Sequence, residues 1–84
     1  MRDFAGEHVA LVEKKADWVK KYKIALDIQA RYGESPKAAP RTTSEAEQRF
    51  MIEMLLGMNC AVVALGIDVA EAQLRLLALE QAAD

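Results

Sequence analysis

The residues that could do chemistry are few and scattered. The chain of 84 residues holds one cysteine, Cys60, and one histidine, His8. A structural zinc site needs four nitrogen or sulfur ligands and a disulfide framework needs paired cysteines, so no metal and no cofactor are assigned. Cys60 lies in the run Met58-Asn59-Cys60-Ala61-Val62, a setting that suits an inert buried thiol rather than a nucleophile. His8 falls at the edge of an apolar face and reads as structural. No glycine-rich phosphate loop, nucleophile–base pair or carboxylate dyad is present. The chain is expected not to be an enzyme, and no catalytic residue is named.

Binding chemistry is better represented. Lys14, Lys15, Lys20, Lys21 and Lys23 place five positive charges within ten residues. Such a stripe can contact phosphates, so Lys14, Lys15, Lys20 and Lys21 are candidate nucleic-acid contacts. Glu13 and Asp17 lie at helical spacing from several of these lysines, which equally describes a solvated helix face with internal ion pairs. The cluster has no arginine to read a base edge in two-pronged fashion. Trp18, Tyr22 and Phe4 are aromatic anchors on the same segment, serving either as core or as a partner-binding patch. Ile24 and Ile28 stand four apart on its otherwise polar side.

These residues sit on a long helix, expected over about 3–32. One apolar row is Ala5, Val9, Val12, Ala16, Val19, Leu26 and Ala30, with Lys23 at the skipped position. A second row, Phe4, Leu11, Trp18, Ala25 and Tyr32, repeats every seventh residue. The two are expected to merge into one broad apolar face. Lys23 then either snorkels at the edge of the bundle or pairs with Glu53. Gly33 is the expected C-terminal cap. Residues 33–43 hold two prolines and form a connector.

A second helix is expected over about 45–65, begun by a Ser44–Glu47 capping box or, one register earlier, by Thr42–Glu45. It is apolar nearly all round, except for a strip of Ala46, Glu53, Gly57, Cys60 and Ala64. Gly66 with Asp68 and Glu71 suggests a break and a third helix over about 69–82. A continuous helix tolerating Gly57 and Gly66 is the alternative. The stretch from Met54 to Ile67 is bounded by Glu53 and Asp68 and falls short of the ~20 residues of a spanning helix. No membrane association is expected. Asp3 and Glu7 argue against a signal peptide, so the expected location is the cytoplasm.

Composition sets the architecture. Hydrophobic residues make up 52% of the chain, too many for a disordered tail, and 84 residues allow one domain. The expected fold is all-α, a single domain over residues 1–84. Residues 1–43 are net basic and residues 44–84 net acidic, so the halves can pair within a chain or between copies. One helix apolar all round cannot be covered by the rest of so short a chain. A homodimeric helical bundle supplies the cover, with Met54, Gly57, Met58, Ala61 and Leu65 as its candidate core. The expected function is that of a small regulator or inhibitor, of the kind phage and mobile elements often encode. It would block a protein partner sterically through Trp18, Lys21, Tyr22, Ile24 and Ile28. A nucleic-acid regulator using the lysines, and a structural assembly subunit, are the alternatives.

Light scattering on a sizing column, across concentration and salt, checks the burial argument. The expected mass is about twice the 9.3 kDa of one chain. A folded monomer at all concentrations overturns it.

Overall fold

Asp3 starts the first helix. In a computed structural model that describes all 84 residues, its carboxylate accepts the Gly6 amide at 2.9 Å. That contact satisfies one of the donors a helix start leaves open. Helix α1 then runs Phe4–Glu34. It passes through Gly33, and no glycine has a positive φ, so Gly33 is not the cap. Ser35 is, with ψ at 128°. Pro36 is the cause, because the residue before a proline is driven out of the helical region.

Thr42 rather than Ser44 opens the second helix. Its hydroxyl accepts the Glu45 amide at 3.1 Å, and the Glu45 carboxylate reaches back to the Arg41 amide at 2.7 Å. Helix α2 runs Thr43–Ala83 without interruption. Residues 35–42 connect the two. There the Lys37 ammonium donates to the Tyr32 and Ser35 carbonyls, and Arg49 donates to the Ala38 carbonyl at 2.6 Å.

The break expected at Gly66, and with it the separate third helix over 69–82, is absent. Glycine costs a helix interior about 1 kcal/mol relative to alanine. Packing explains its presence. A Cβ on residue 66 would lie 2.5 Å from Cδ2 of Trp18. Gly66 is therefore a slot for the indole rather than a helix end. Asp68 is exposed, and Glu71 pairs with Lys15 of α1 at 3.3 Å instead of closing a capping box.

The helices lie antiparallel as a hairpin of 65 × 18 × 14 Å, and there are no strands. Its radius of gyration is 19.3 Å, against about 12 Å for a compact chain of this length. The all-α class holds. On α1 the contact row is Phe4, Leu11, Trp18, Ala25 and Tyr32, all buried or half-buried. On α2 it is Leu56, Cys60, Val63, Ile67, Ala70, Leu74 and Leu77, spaced alternately by four and three. The other α1 row does not merge with the first. Ala5, Val9, Val12, Ala16, Leu26 and Ala30 are exposed, and only Val19 is half-buried. Within one chain α2 is not covered on all sides either: of its residues only Cys60, Val63, Ala70 and Leu77 are buried. A two-helix hairpin can cover just one side of each helix.

Trp18 and Gly66 yield a sign test by thermal unfolding at fixed protein concentration. Gly66→Ala is expected to destabilise by about 1–3 kcal/mol, because the indole must move. Gly57, whose Cβ would meet only Gln29 Nε2 at 3.8 Å, should accept alanine with a gain of about 0.5–1 kcal/mol. In a Trp18→Ala background Gly66→Ala should become stabilising. The same sign in both backgrounds would remove the contact.

Candidate interaction site

One edge of the hairpin carries two grooves. Residues 7, 14, 21 and 28 of α1 flank the contact row on this edge, and 8, 15, 22 and 29 flank it on the other. The first groove has a volume of about 250 Å³ and is lined by Lys21, Ile24, Ala25 and Ile28 from α1 and by Asn59 and Val63 from α2. Ile24 and Ile28 are 60% and 47% exposed there, with no apolar partner covering them. The second, about 340 Å³, lies further along, between Glu7, Ala10 and Leu11 of α1 and Gln73, Leu76, Leu77 and Glu80 of α2, with Arg2 at its rim. The Gln73 Oε1 atom is buried without a hydrogen-bond donor.

The five candidate partner contacts therefore divide. Lys21, Ile24 and Ile28 come together on the first groove. Trp18 turns into the hairpin over Gly66. Tyr22 is half-buried on the opposite flank of the contact row. Lys21 links the two sets: its ammonium lies 4.8 Å from the Trp18 ring centroid and 2.9 Å from Asp17 Oδ2. Asn59 and Val63 belong to the groove and were not among the sequence candidates. They are brought in by the hairpin register, which no local pattern in the sequence contains.

The candidate dimer residues also divide. Met58 and Leu65 lie on an exposed row of α2. That row reads Met51, Leu55, Met58, Val62, Leu65, Val69, Ala72, Leu76 and Leu79, spaced alternately by four and three, and every member is exposed. Met54 and Ala61 flank it and are exposed too, whereas Gly57 is half-buried beside Gln29. Around four heptads of unbroken apolar spacing is the signature of a coiled-coil seam. Leu55, Val62, Val69, Leu76 and Leu79 were not among the candidate dimer residues. Their signal, the alternate spacing, was masked because α2 is apolar on its other faces as well.

The lysines do not form one stripe. Lys14 and Lys21 flank the contact row on the groove edge, and Lys15 flanks it on the other, where it pairs with Glu71. Lys20 and Lys23 point elsewhere and are exposed. Lys23 and Glu53 are both exposed and form no ion pair with each other. The basic first half and acidic second half do meet within the chain, at Lys15–Glu71 and at Arg2–Glu80. Hydrogen bonds first to Glu7 and then to Glu80 hold the Arg2 pKa above its ordinary value.

Cys60 is buried, with its Sγ 3.4 Å from Gln29 Oε1. No cluster of three or more His, Cys, Asp or Glu that could hold a metal forms. By length and composition, α2 is the one helix that could cross a membrane. The helix continues through Asp68, which still ends its uncharged stretch Met54–Ile67. Comparison with family models, with curated proteins and with solved structures finds no match.

The scattered lysines give a direct expectation. Retention on a heparin column should be weak, and replacing Lys14, Lys15, Lys20 and Lys21 together by Gln should shift elution only slightly. Tight, steeply salt-dependent binding that those four substitutions abolish would make the basic residues the functional surface.

Proposed function

We propose that this protein is a non-enzymatic helical interaction module that forms a homodimer and occludes a protein partner through the Lys21–Ile24–Ile28 groove. One observation carries the reading. Seventeen large hydrophobic side chains are exposed in the single chain, and only five residues are buried. Apolar surface on that scale marks contact surfaces rather than a finished monomer. Self-association accounts for α2. It leaves the groove edge of α1, where two isoleucines stand beside a lysine already held by Trp18 and Asp17. An apolar floor with one fixed positive charge suits a helix that carries an acidic residue beside its apolar anchors. Trp18 acts behind the groove by fixing its α1 wall, over Gly66 and beneath Lys21.

The proposed location is the cytoplasm, without membrane insertion. The apolar part of α2 does not stand alone. The pairings Trp18–Gly66 and Gln29–Cys60 set the register. They put Lys20, Lys21, Lys23, Asp27 and Arg31 of α1 alongside residues 50–67 of α2. Five charges at that depth are incompatible with a hydrocarbon core as long as the hairpin is formed.

A photo-crosslinking residue at Ile28 of the full chain tests the partner surface in cells of the source. The expected product is a discrete adduct with one other protein. Ile24→Glu should abolish it with helicity and self-association unchanged, and the four Lys→Gln substitutions should leave it. Adducts with the chain itself alone would instead favour an assembly subunit.

A further inference from the structure

We propose that a second copy of this chain seats on the exposed α2 row at residues 51–79, α2 against α2 about a two-fold axis. The inference rests on the self-association reading and adds the surface that carries it. Area decides first. One chain exposes 6466 Å², whereas a compact monomer of this mass exposes ~5,000 Å². The excess is about 1,500 Å² per chain, or about 3,000 Å² for two. Obligate dimer interfaces remove roughly 2,000–5,000 Å² in total. The uncovered surface is thus of the size that one further copy removes.

Period decides second. The row keeps its alternation of three and four over 28 residue steps, about 42 Å of helix. A helix repeating every 3.5 residues is complemented by another with the same repeat, knob into hole. The large members of the row are 46–68% exposed, so each has a free knob to offer.

Composition decides which helix of the second copy takes the place. α1 has an exposed row with the same repeat, but Ala5, Ala16 and Ala30 give it little to bury, and Lys23 sits inside it. Docking α2 there would press an ammonium group against Leu, Met or Val, at the cost of a charge without a partner. The α2 row has no polar or charged member across its nine positions. Its best complement is therefore itself. The two rows also face different edges. Leu76 of the α2 row borders the groove edge with Ala10, while Val12 and Val19 lie at helical spacing from Lys15 on the other. Pairing α2 with α2 closes the assembly at two copies. Pairing α2 with the next copy's α1 row is heterologous, and would give a ring of several copies or an open filament rather than a dimer.

Leu65 lies at the midpoint of the row, so two copies bring their residues 65 near each other whichever way the helices run. The test uses the full chain with Cys60→Ser, carrying Leu65→Cys or, as a control, Leu26→Cys on the α1 row. A short bismaleimide should convert most of the Leu65→Cys protein to a covalent dimer and leave the Leu26→Cys protein single. Equal cross-linking overturns the proposal. So does a dimeric mass on the sizing column without cross-linking through residue 65, an outcome that leaves self-association standing. A monomeric mass overturns both. A matched pair of charges guards against misfolding of one variant. Val69 and Val12 are 46% and 45% exposed in the single chain. Val69→Glu should raise the dimer dissociation constant by about 100-fold or more. Val12→Glu should leave mass and helicity unchanged. Dimers that tolerate Val69→Glu, or fail with Val12→Glu, place the interface elsewhere.

Discussion

Two helices share only one interface, and everything else in this protein follows from that limit. Each helix can hide one side against the other. Here α1 is apolar on two sides and α2 on nearly all. A bundle of four helices gives every helix two neighbours, whereas a hairpin gives one. The hairpin therefore behaves as half of a core. Its fully buried residues are few, Ala25, Cys60, Val63, Ala70 and Leu77, and most of its Leu, Ile and Met side chains look outward. That inversion is costly for a lone chain in water and sensible for one that is completed by association.

The hairpin nevertheless has a defined register, set by the largest side chain meeting the smallest. The Trp18 indole occupies the space that a side chain at residue 66 would need, so sliding α1 along α2 by a turn would drive the ring into Ala70 or Val63, each of which carries the Cβ that Gly66 lacks. Lys15–Glu71 and Arg2–Glu80 lie further along the same antiparallel alignment and agree with it. These ion pairs are half-exposed at the hairpin's edges and contribute little to stability individually. Their use is directional, because they join a basic helix to an acidic one and disfavour pairings that place like charges together. The groove at Ile24 and Ile28 inherits its shape from this register, since its far wall, Asn59 and Val63, belongs to α2.

How much of this was legible in the sequence depends on the range of each signal. The long first helix, a helix start between residues 42 and 47 and the heptad row through Trp18 are local patterns and could be read directly, whereas the choice of Thr42 over Ser44 was left between two registers. Gly66 could not. A glycine that ends a helix and one that admits a distant ring look alike in sequence, and the deciding partner is 48 residues away. The α2 seam was hidden for the opposite reason. A helix apolar on every side contains a 3.5-residue repeat on several faces at once, and only the hairpin shows which face is already used. For the groove, Ile24 and Ile28 stood out as apolar residues on a polar side. Asn59 and Val63 had no such contrast with their neighbours.

The same apolar α2 would satisfy lipid as readily as protein, and the arrangement of α1 separates the two. A bilayer accepts an apolar helix whatever the order of its residues, and demands only that charge be kept away. A coiled-coil partner demands a repeat and is indifferent to charge on the far side. α2 keeps the repeat for longer than its most apolar stretch lasts: the row extends through Val69, Leu76 and Leu79, past Asp68, Glu71 and Arg75, where the helix is no longer apolar all round. In that last third no polar residue falls on the row, and the large apolar residues lie either on it or on the row that meets α1. Lipid alone gives no reason for such sorting. The proposed second helix lying along the whole length would, because each row position would then be a knob and each position off it would meet water or α1.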